Sequence, residues 1–135
     1  MNNLLTGVYS ILSASTLSTY VGGRIYAESA PDNADYPYVV YFIVSGYQDD
    51  DFKAESDDYI LQFSLYSSSA SMTEITTMYE HLKTAMDDAS ITITGDTCVW
   101  CYRQNLTTMI ENVKLDEDND KLKHWAVDYS IHVQD

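Results

Sequence analysis

The sequence is poor in basic residues, in cysteine, in glycine and proline, and in long apolar runs. Seven Lys and Arg residues face twenty-one Asp and Glu, which gives a formal net charge of −14 at pH 7. Tight binding of nucleic acid depends on Lys and Arg contacts that release counterions, so this charge argues against sequence-specific recognition of DNA or RNA. No uninterrupted apolar run reaches about eighteen residues, and we expect no transmembrane helix. The amino-terminal segment lacks the basic start of a signal peptide.

Only two cysteines occur, Cys98 and Cys101, which is typical of a reducing compartment or of a fold that needs no disulfide. Their CxxC spacing is found in redox sites and in zinc sites. However, the Thr, Val, Trp and Tyr residues around them favour a strand, in which residues three apart point to opposite faces. No second CxxC or HxxxH motif completes a zinc site. We therefore predict two buried or half-buried free thiols, with no metal and no cofactor.

What the chain does contain is enough apolar residues for a core and an unusual number of tyrosines. Its 135 residues are 45% hydrophobic, which is close to the average for globular domains and suits a single domain over residues 1–135. Twelve of the aromatic residues are Tyr, and six of them concentrate in the first predicted hairpin: Tyr36, Tyr38, Tyr41, Tyr47, Tyr59 and Tyr66. Because Tyr has an apolar ring and a polar tip, we expect these residues in the core or at a protein interface.

Two segments have the apolar periodicity of amphipathic helices. The first helix is predicted over residues 3–18, although its outer face is rich in Ser and Thr and has low helix propensity. The second is predicted over residues 72–88, where Ser71 and Glu74 have the spacing of a capping box. Gly22 and Gly23 are expected to end the first segment.

The remaining apolar segments alternate like strands. Strands are predicted at residues 24–27, 38–44, 59–66, 90–94, 98–110 and 125–133. The segment 38–44 is apolar on both faces and should be a central strand, or be covered by a neighbouring subunit. In the last strand alternate residues from Trp125 to Val133 should face the core, while those from His124 to His132 face water or a partner. The sequence thus predicts an α+β fold, a mostly antiparallel sheet with the two main helices packed on it.

One combination of motifs resembles a known family. A helix is followed by Val21-Gly22-Gly23-Arg24-Ile25-Tyr26, a short loop, Tyr36-Pro37-Tyr38-Val39-Val40-Tyr41, an acidic loop, a strand and a helix. This order resembles the tail-completion proteins of long-tailed bacteriophages, which are similar to tail-terminator and head-to-tail joining proteins. The resemblance is best over residues 4–88.

The resemblance implies a structural role in the virion and no catalytic residues. It implies assembly into a homo-oligomeric ring, commonly a hexamer, at the head-proximal end of the tail. The expected partners are the tail tube protein and the head connector or adaptor proteins, with DNA as a passing cargo and no membrane. Such a protein is made in the host cytoplasm and ends in the virion tail at the head-tail junction.

The acidic residues form two clusters, each on a predicted hairpin tip. The clusters contain Asp49, Asp50, Asp51, Glu55, Asp57 and Asp58, and Asp116, Glu117, Asp118 and Asp120. The second cluster fails as a calcium loop, because Lys121 and Val127 stand where an EF-hand needs Gly and Glu. Two interpretations stay open: solvated loops, or an acidic lining of the ring's lumen that keeps DNA from sticking.

Catalysis has little support in the sequence. His81, His124 and His132 lie near no nucleophile turn, and no glycine-rich phosphate loop occurs. Surface or interface histidines are the expectation, and an enzyme with an acidic active site is disfavoured. The strongest alternative function is an acidic mimic of DNA that inhibits a DNA-processing enzyme. Such a mimic should spread its carboxylates over one continuous face, whereas here they concentrate in two loops.

Overall fold

The computed structural model describes residues 2–48, 56–114 and 119–134. Its helices are α1 (Asn2–Ser13), α2 (Thr16–Tyr20) and α3 (Thr73–Met86). Its strands are β1 (Ile25–Ala27), β2 (Tyr38–Gln48), β3 (Ser56–Ser67), β4 (Thr92–Ile93), β5 (Asp96–Lys114) and β6 (Asn119–Gln134). The strands form one sheet in the order β1-β2-β3-β6-β5-β4. The β1–β2 pair is parallel and the other pairs are antiparallel, which confirms the predicted α+β fold.

The amino-terminal helical segment is broken, and the prediction of one helix over residues 3–18 is wrong at Ser15. The backbone of Ser15 is extended (φ −89°, ψ 166°). Its hydroxyl and its N–H both donate to the carbonyl of Leu12, at 2.6 and 3.1 Å. Ser side chains compete with helical hydrogen bonds in this way, so a Ser-rich helix is easily ended. The apolar stripe survives the break and is buried at Leu4, Val8, Leu12 and Leu17.

Two glycines turn the chain from α2 into the sheet, as the sequence predicts. Gly22 and Gly23 have φ of 63° and 77°, and the N–H of Gly23 donates to the carbonyl of Ser18 at 2.8 Å. A residue with positive φ commonly ends a helix, and Gly adopts that conformation without steric cost. The turn delivers β1 to the edge of β2, where Ile25 pairs with Val39.

The strand β2 is not central, so the first of the two predicted alternatives is wrong, and cover by a neighbouring subunit stays a prediction. It is the second strand from one edge, and β3 and β6 occupy the middle of the sheet. One face of β2 is core, with Val39 and Tyr41 buried. On the other face Val40 is buried, Phe42 is half-buried, and Val44, at a bulge, is 51% exposed. The outward apolar residues of β2 are therefore partly covered by neighbours on the same face of the sheet.

The helix α3 confirms the prediction over residues 72–88, but its capping box does not form. The carboxylate of Glu74 accepts a hydrogen bond from the hydroxyl of Ser67 at 2.6 Å. The hydroxyl of Ser71 accepts from the N–H of Thr73 at 3.1 Å, two residues along the chain. Because Ser67 is the last residue of β3, Glu74 ties the start of α3 to the sheet instead of closing a capping box with Ser71.

The helices pack on one face of the sheet and form a single core cluster with it. The largest fully buried side chains come from both layers and include Leu4, Leu12, Leu61, Phe63, Leu65, Ile75, Met78, Leu82, Met86, Tyr129 and Ile131. At the centre the rings of Phe63 and Tyr129 meet edge to face with centroids 5.5 Å apart. Within the described ranges, no helix is both long and apolar enough to cross a bilayer.

The hairpin of β5 and β6 is longer than predicted. Its pairing runs from Thr97–Gln134 to Lys114–Asn119, whereas β3 accompanies β6 only as far as Lys123. The predicted inward face of β6 is confirmed, since Trp125, Tyr129 and their alternate neighbours are buried. The opposite face was expected in water or against a partner. Part of it is buried within the chain, at Ala126, Ser130 and His132, because side chains of β3 and β5 flank it.

Candidate functional site

The described acidic residues of the two clusters lie in strands and not on hairpin tips. Asp57 and Asp58 belong to β3, and Asp120 belongs to β6. Asp57 is exposed, whereas Asp58 is 4% exposed and so is no part of a solvated loop. The other members lie outside the described residues: Asp49, Asp50, Asp51, Glu55, Asp116, Glu117 and Asp118.

The strands that lead to the two undescribed acidic segments end at opposite ends of the sheet. Ser56, which follows the first segment, pairs with Gln134 at the end of β6. Lys114, which precedes the second segment, pairs with Asn119 at the start of β6. A strand of 16 residues is roughly 50 Å long at about 3.3 Å per residue. The described strand ends that flank the two acidic clusters are thus far apart, at opposite ends of the sheet.

A buried acid–histidine pair lies near one of these strand ends. The Oδ1 of Asp58 contacts the Nδ1 of His132, and both side chains are almost fully buried. The ring of His132 also stacks on that of Trp100, with centroids 4.2 Å apart and planes at 18°. A buried carboxylate needs such a partner, because removing it from water without one is costly. His132 is therefore an internal residue, which corrects its prediction as a surface or interface histidine.

We expect Asp58→Ala to destabilise the protein by about 1–2 kcal/mol, because it leaves the buried imidazole of His132 without its carboxylate. Chemical denaturation monitored by circular dichroism measures the change. The matched control is Asp57→Ala, one residue away and exposed, which should stay within about 0.5 kcal/mol of the parent. Equal effects of the two substitutions would contradict the assignment of a structural role to Asp58.

The sheet face opposite the helices carries a row of stacked rings across three strands. Tyr36 stacks on Tyr38 at 5.2 Å, Tyr38 on Tyr66 at 4.8 Å, and Tyr66 on His124 at 4.3 Å between centroids. These side chains are half-buried in the isolated chain. Cross-strand aromatic pairs stabilise a sheet by roughly 0.2–1 kcal/mol each. The row contains three of the six tyrosines of the first predicted hairpin. Its half-buried rings leave tyrosine side chains on the surface, and tyrosine is enriched at protein interfaces.

The comparisons with known proteins decide the family. The family model described as tail completion protein gp17 matches residues 6–134. The chain belongs to this family. No curated protein sequence matches it significantly. Among solved structures, a chain of the virion of a native gene transfer agent particle has the same fold, with a TM-score of 0.76 at 17% identity, covering 98% of this chain and 95% of that one.

The match to the tail completion family extends beyond the part that carries the sequence resemblance. Resemblance is best over residues 4–88, whereas the family model continues to residue 134 and includes the long β5–β6 hairpin. The motif residues of the resemblance have structural roles. Gly22 and Gly23 turn the chain, and the guanidinium Nε of Arg24 donates to the carbonyl of Pro37 at 2.9 Å. The resemblance thus rests on residues that build the β1–β2 edge.

The two cysteines lie on the same face of β5, which corrects the prediction that they point to opposite faces. The register shifts between Cys98 and Trp100, so Val99 is an extra residue in the strand. Cys98 pairs with Val133 and Cys101 with Ile131, both of which face the core. A bulge restores the same side to residues three apart. The predicted burial is confirmed, with Cys98 half-buried and Cys101 buried.

We expect Cys101 to resist alkylation in the folded protein. Burial raises the pKa of the Cys101 thiol to about 12, so the thiol stays protonated, and therefore unreactive, throughout the range from pH 7 to 9. Iodoacetamide treatment at pH 8, followed by peptide mass spectrometry, measures labelling of each cysteine. Denatured protein is the control and should label at both. Rapid labelling of Cys101 in the folded state would show that the strand opens or that the thiol is exposed.

Several other polar side chains among the described residues make contacts within the fold. His81 on α3 makes a hydrogen bond to the hydroxyl of Thr16, at 2.8 Å between Nδ1 and Oγ1. The hydroxyl of Tyr129 donates to Asp87 at 2.5 Å, and Arg103 lies 3.5 Å from the same carboxylate. Burial, and then the bond to Asp87, raise the pKa of Tyr129. Among the described residues no group of three or more His, Cys, Asp or Glu side chains is arranged to hold a metal.

Sequence reasoning missed the contacts made across strands. Asp58 and His132 are 74 residues apart, and Tyr66 and His124 meet on the same face. The available signal was the alternation of the two strands, which places each of these residues on the outward face. Pairing them requires the register, and neither strand specifies its partner by itself.

Proposed function

We propose that this chain is a structural, non-enzymatic subunit of a ring at the head-proximal end of the phage tail, where it ends the tail tube, joins it to the head connector, or does both. The observation that carries the proposal is the family match over residues 6–134, since it covers nearly the whole chain. The fold shared with a virion protein of a gene transfer agent supports it. The chain itself is a structural protein of the virion tail, as its family indicates.

A phage with the gene deleted tests whether the protein ends the tail tube, joins it to the head, or does both. Electron microscopy of the lysate shows which particles form without the protein. Loss of a subunit that ends the tube should give tails of abnormal length. Loss of a subunit that joins tail to head should give filled heads and tails of normal length that are not attached. Supplying the protein in trans should restore whole particles. Normal infectious particles without the protein would refute the structural role and would favour the DNA-mimic alternative.

We propose further that one acidic cluster faces the DNA path. Like charge keeps a passing duplex from binding the wall, because acids outnumber the few lysines around both clusters, such as Lys53 and Lys121. Since the strands leading to the two segments end at opposite ends of the sheet, each cluster is best tested separately. The side chains to change are Asp49, Asp50 and Asp51 in one variant and Asp116, Glu117 and Asp118 in the other.

Replacing the lining cluster with Lys should slow the release of DNA from particles, with a larger effect at low salt, where charges are least screened. Time-resolved fluorescence of a DNA-binding dye after triggered ejection gives the rate. The matched control replaces Asp32 and Asp35, which are exposed on the loop before β2. If neither cluster changes the rate more than this control does, the acidic lining is wrong while the ring role stands.

A further inference from the structure

The two edges of the sheet are only partly covered. On one edge, β5 makes 16 register pairs with β6 but pairs with β4 only at Asp96 and Thr97. One backbone bond follows, from the N–H of Asp88 to the carbonyl of Cys101 at 3.1 Å. Beyond it, among the described residues, no backbone group pairs with the outer side of β5 as far as Lys114. Unpaired N–H and C=O groups along a strand are a template for another strand.

The side chains along this free edge suit contact with another acidic protein. Thr107 and Thr108 are exposed, and Ile110 is 62% exposed. No Asp or Glu occurs in the fourteen residues between Asp96 and Glu111, although the chain has twenty-one acids. Two copies that each carry a charge of −14 repel one another, so they approach best where this charge is missing. The free edge of β5 is such a region.

The opposite edge of the sheet offers a second free strand. β1 pairs with β2 only from Val39 to Tyr41, and no described strand covers β2 from Phe42 to Gln48 on that side. Val44 is 51% exposed, and Ser45 and Gly46 beside it are exposed. As far as the described residues show, the subunit therefore has two different open edges. A contact between two different patches is head-to-tail, which is the kind of contact that generates a ring when it closes.

The strand directions are compatible with joining these edges. Residues 42–48 of β2 are level with residues 98–105 of β5 within one sheet, so the neighbour must be shifted along the strands for its β2 to meet β5 beyond Arg103. Three antiparallel steps separate β2 from β5, so the two strands run in opposite directions within the sheet. A neighbour in the same orientation therefore presents β2 antiparallel to β5. In addition, β5 and β6 project beyond β3, whose last pair is Ser67 with Lys123. The projecting part of the hairpin, residues 111–114 and 119–122, extends β5 beyond the end of β3.

From these observations we infer that copies of the chain join edge to edge, the free edge of β5 beyond Arg103 in one copy pairing with the free edge of β2, residues 42–48, in the next. The inference rests on the proposed ring and names the surfaces that close it. It makes the ring wall a sheet that continues from subunit to subunit through main-chain hydrogen bonds.

Photo-crosslinking in assembled particles tests the pairing. A benzophenone amino acid replaces Thr107 on the free edge in one phage and Thr76, exposed on α3, in the control. After irradiation, particles with the Thr107 replacement should contain a species of twice the subunit mass. Mass spectrometry should join residue 107 to the peptide that contains residues 38–48. The Thr76 control should give no such species.

The outcomes distinguish this inference from the proposed function. Particles that contain the protein but give no dimer, or a crosslink to another protein or another segment, overturn the edge pairing and leave the tail role intact. Particles that lack the protein overturn both.

A pair of proline variants provides a second test. Consecutive residues of a strand direct their N–H groups to opposite sides. One of the variants Thr107→Pro and Thr108→Pro therefore loses a backbone hydrogen bond to β6. The other loses an N–H donor on the free edge, where the neighbouring subunit would bind. One variant should lose thermal stability. The other should keep its Tm but reduce the yield of infectious particles by on the order of tenfold. Full yield from the variant that keeps its Tm would overturn the inference.

Discussion

Replacing Phe63 with Ala should remove about 3–5 kcal/mol of stability, enough to leave a marginally stable domain partly unfolded. Phe63 is fully buried in β3, near the middle of the sheet, with the ring of Tyr129 edge-on at 5.5 Å. The substitution loses the transfer free energy of the ring and leaves a cavity between the sheet and the helices. Urea denaturation followed by tryptophan fluorescence measures the loss.

The matched control is Phe42→Ala, on β2. Phe42 is of the same residue type in the same sheet, but its side chain is half-buried on the face away from the helices. Phe42 pairs with Gln62 of β3, whereas Phe63 faces the core. We expect Phe42→Ala to lower the stability of the isolated protein by less than half as much as Phe63→Ala, because water and flexible neighbours fill the space. Similar losses at the two positions would contradict the assignment of the core to one face.

Gly7→Ala should destabilise the protein by about 2–3 kcal/mol, although the same change inside an ordinary helix stabilises it by about 1 kcal/mol. A Cβ at residue 7 would lie 2.4 Å from the carbonyl oxygen of Thr92 and 2.8 Å from Cγ2 of Ile91. The first of these is a backbone atom of β4 and cannot rotate away. The substitution therefore forces α1 off the sheet edge, and the loss should appear as a lower Tm by calorimetry.

Ser10→Ala on the same helix is the control for Gly7→Ala. Ser10 is exposed, and its hydroxyl bonds only to the carbonyl of Thr6 within the helix, at 3.1 Å. Alanine has higher helix propensity than serine, so a change of a few tenths of a kcal/mol in the stabilising direction is expected. A stabilising Gly7→Ala would mean that α1 does not lie against β4 as described.

The sequence predicts elements well where periodicity and burial agree. Ile75, Met78, Leu82 and Met86 recur at helical spacing and face the core in α3. The alternation from Trp125 to Val133 likewise predicts the inward face of β6. In both cases the apolar pattern repeats over many residues, because one face of the element packs against the core. Such patterns can be recognised within one segment of sequence, and the structure confirms them.

Single-residue departures from the pattern are not predictable in the same way. The extended backbone at Ser15 splits the first helix, and the extra residue Val99 brings Cys98 and Cys101 to one face. Each depends on how a few residues fit the layer beneath them. The predicted capping box fails for the same reason, because in the folded chain Ser67 lies close enough to bond to Glu74 in place of Ser71. Of the candidate site, the sequence shows that the acids are clustered along the chain. The burial of Asp58, and the opposite ends of the sheet at which the flanking strands end, depend on strand pairing and were not predicted.

The position of β6 has a consequence for the order of events during synthesis. β6 follows every other described element along the sequence, yet it lies between β3 and β5. While the ribosome is still making residues 119–134, β3 and β5 have no strand between them, and the sheet exists only as separate pieces. The pairing that closes it joins Ser56 to Gln134, and contacts so distant in sequence form slowly. The subunit therefore completes its core only after β6 has left the ribosome. A nascent chain stalled before residue 119 lacks the complete sheet and cannot assemble into a tail.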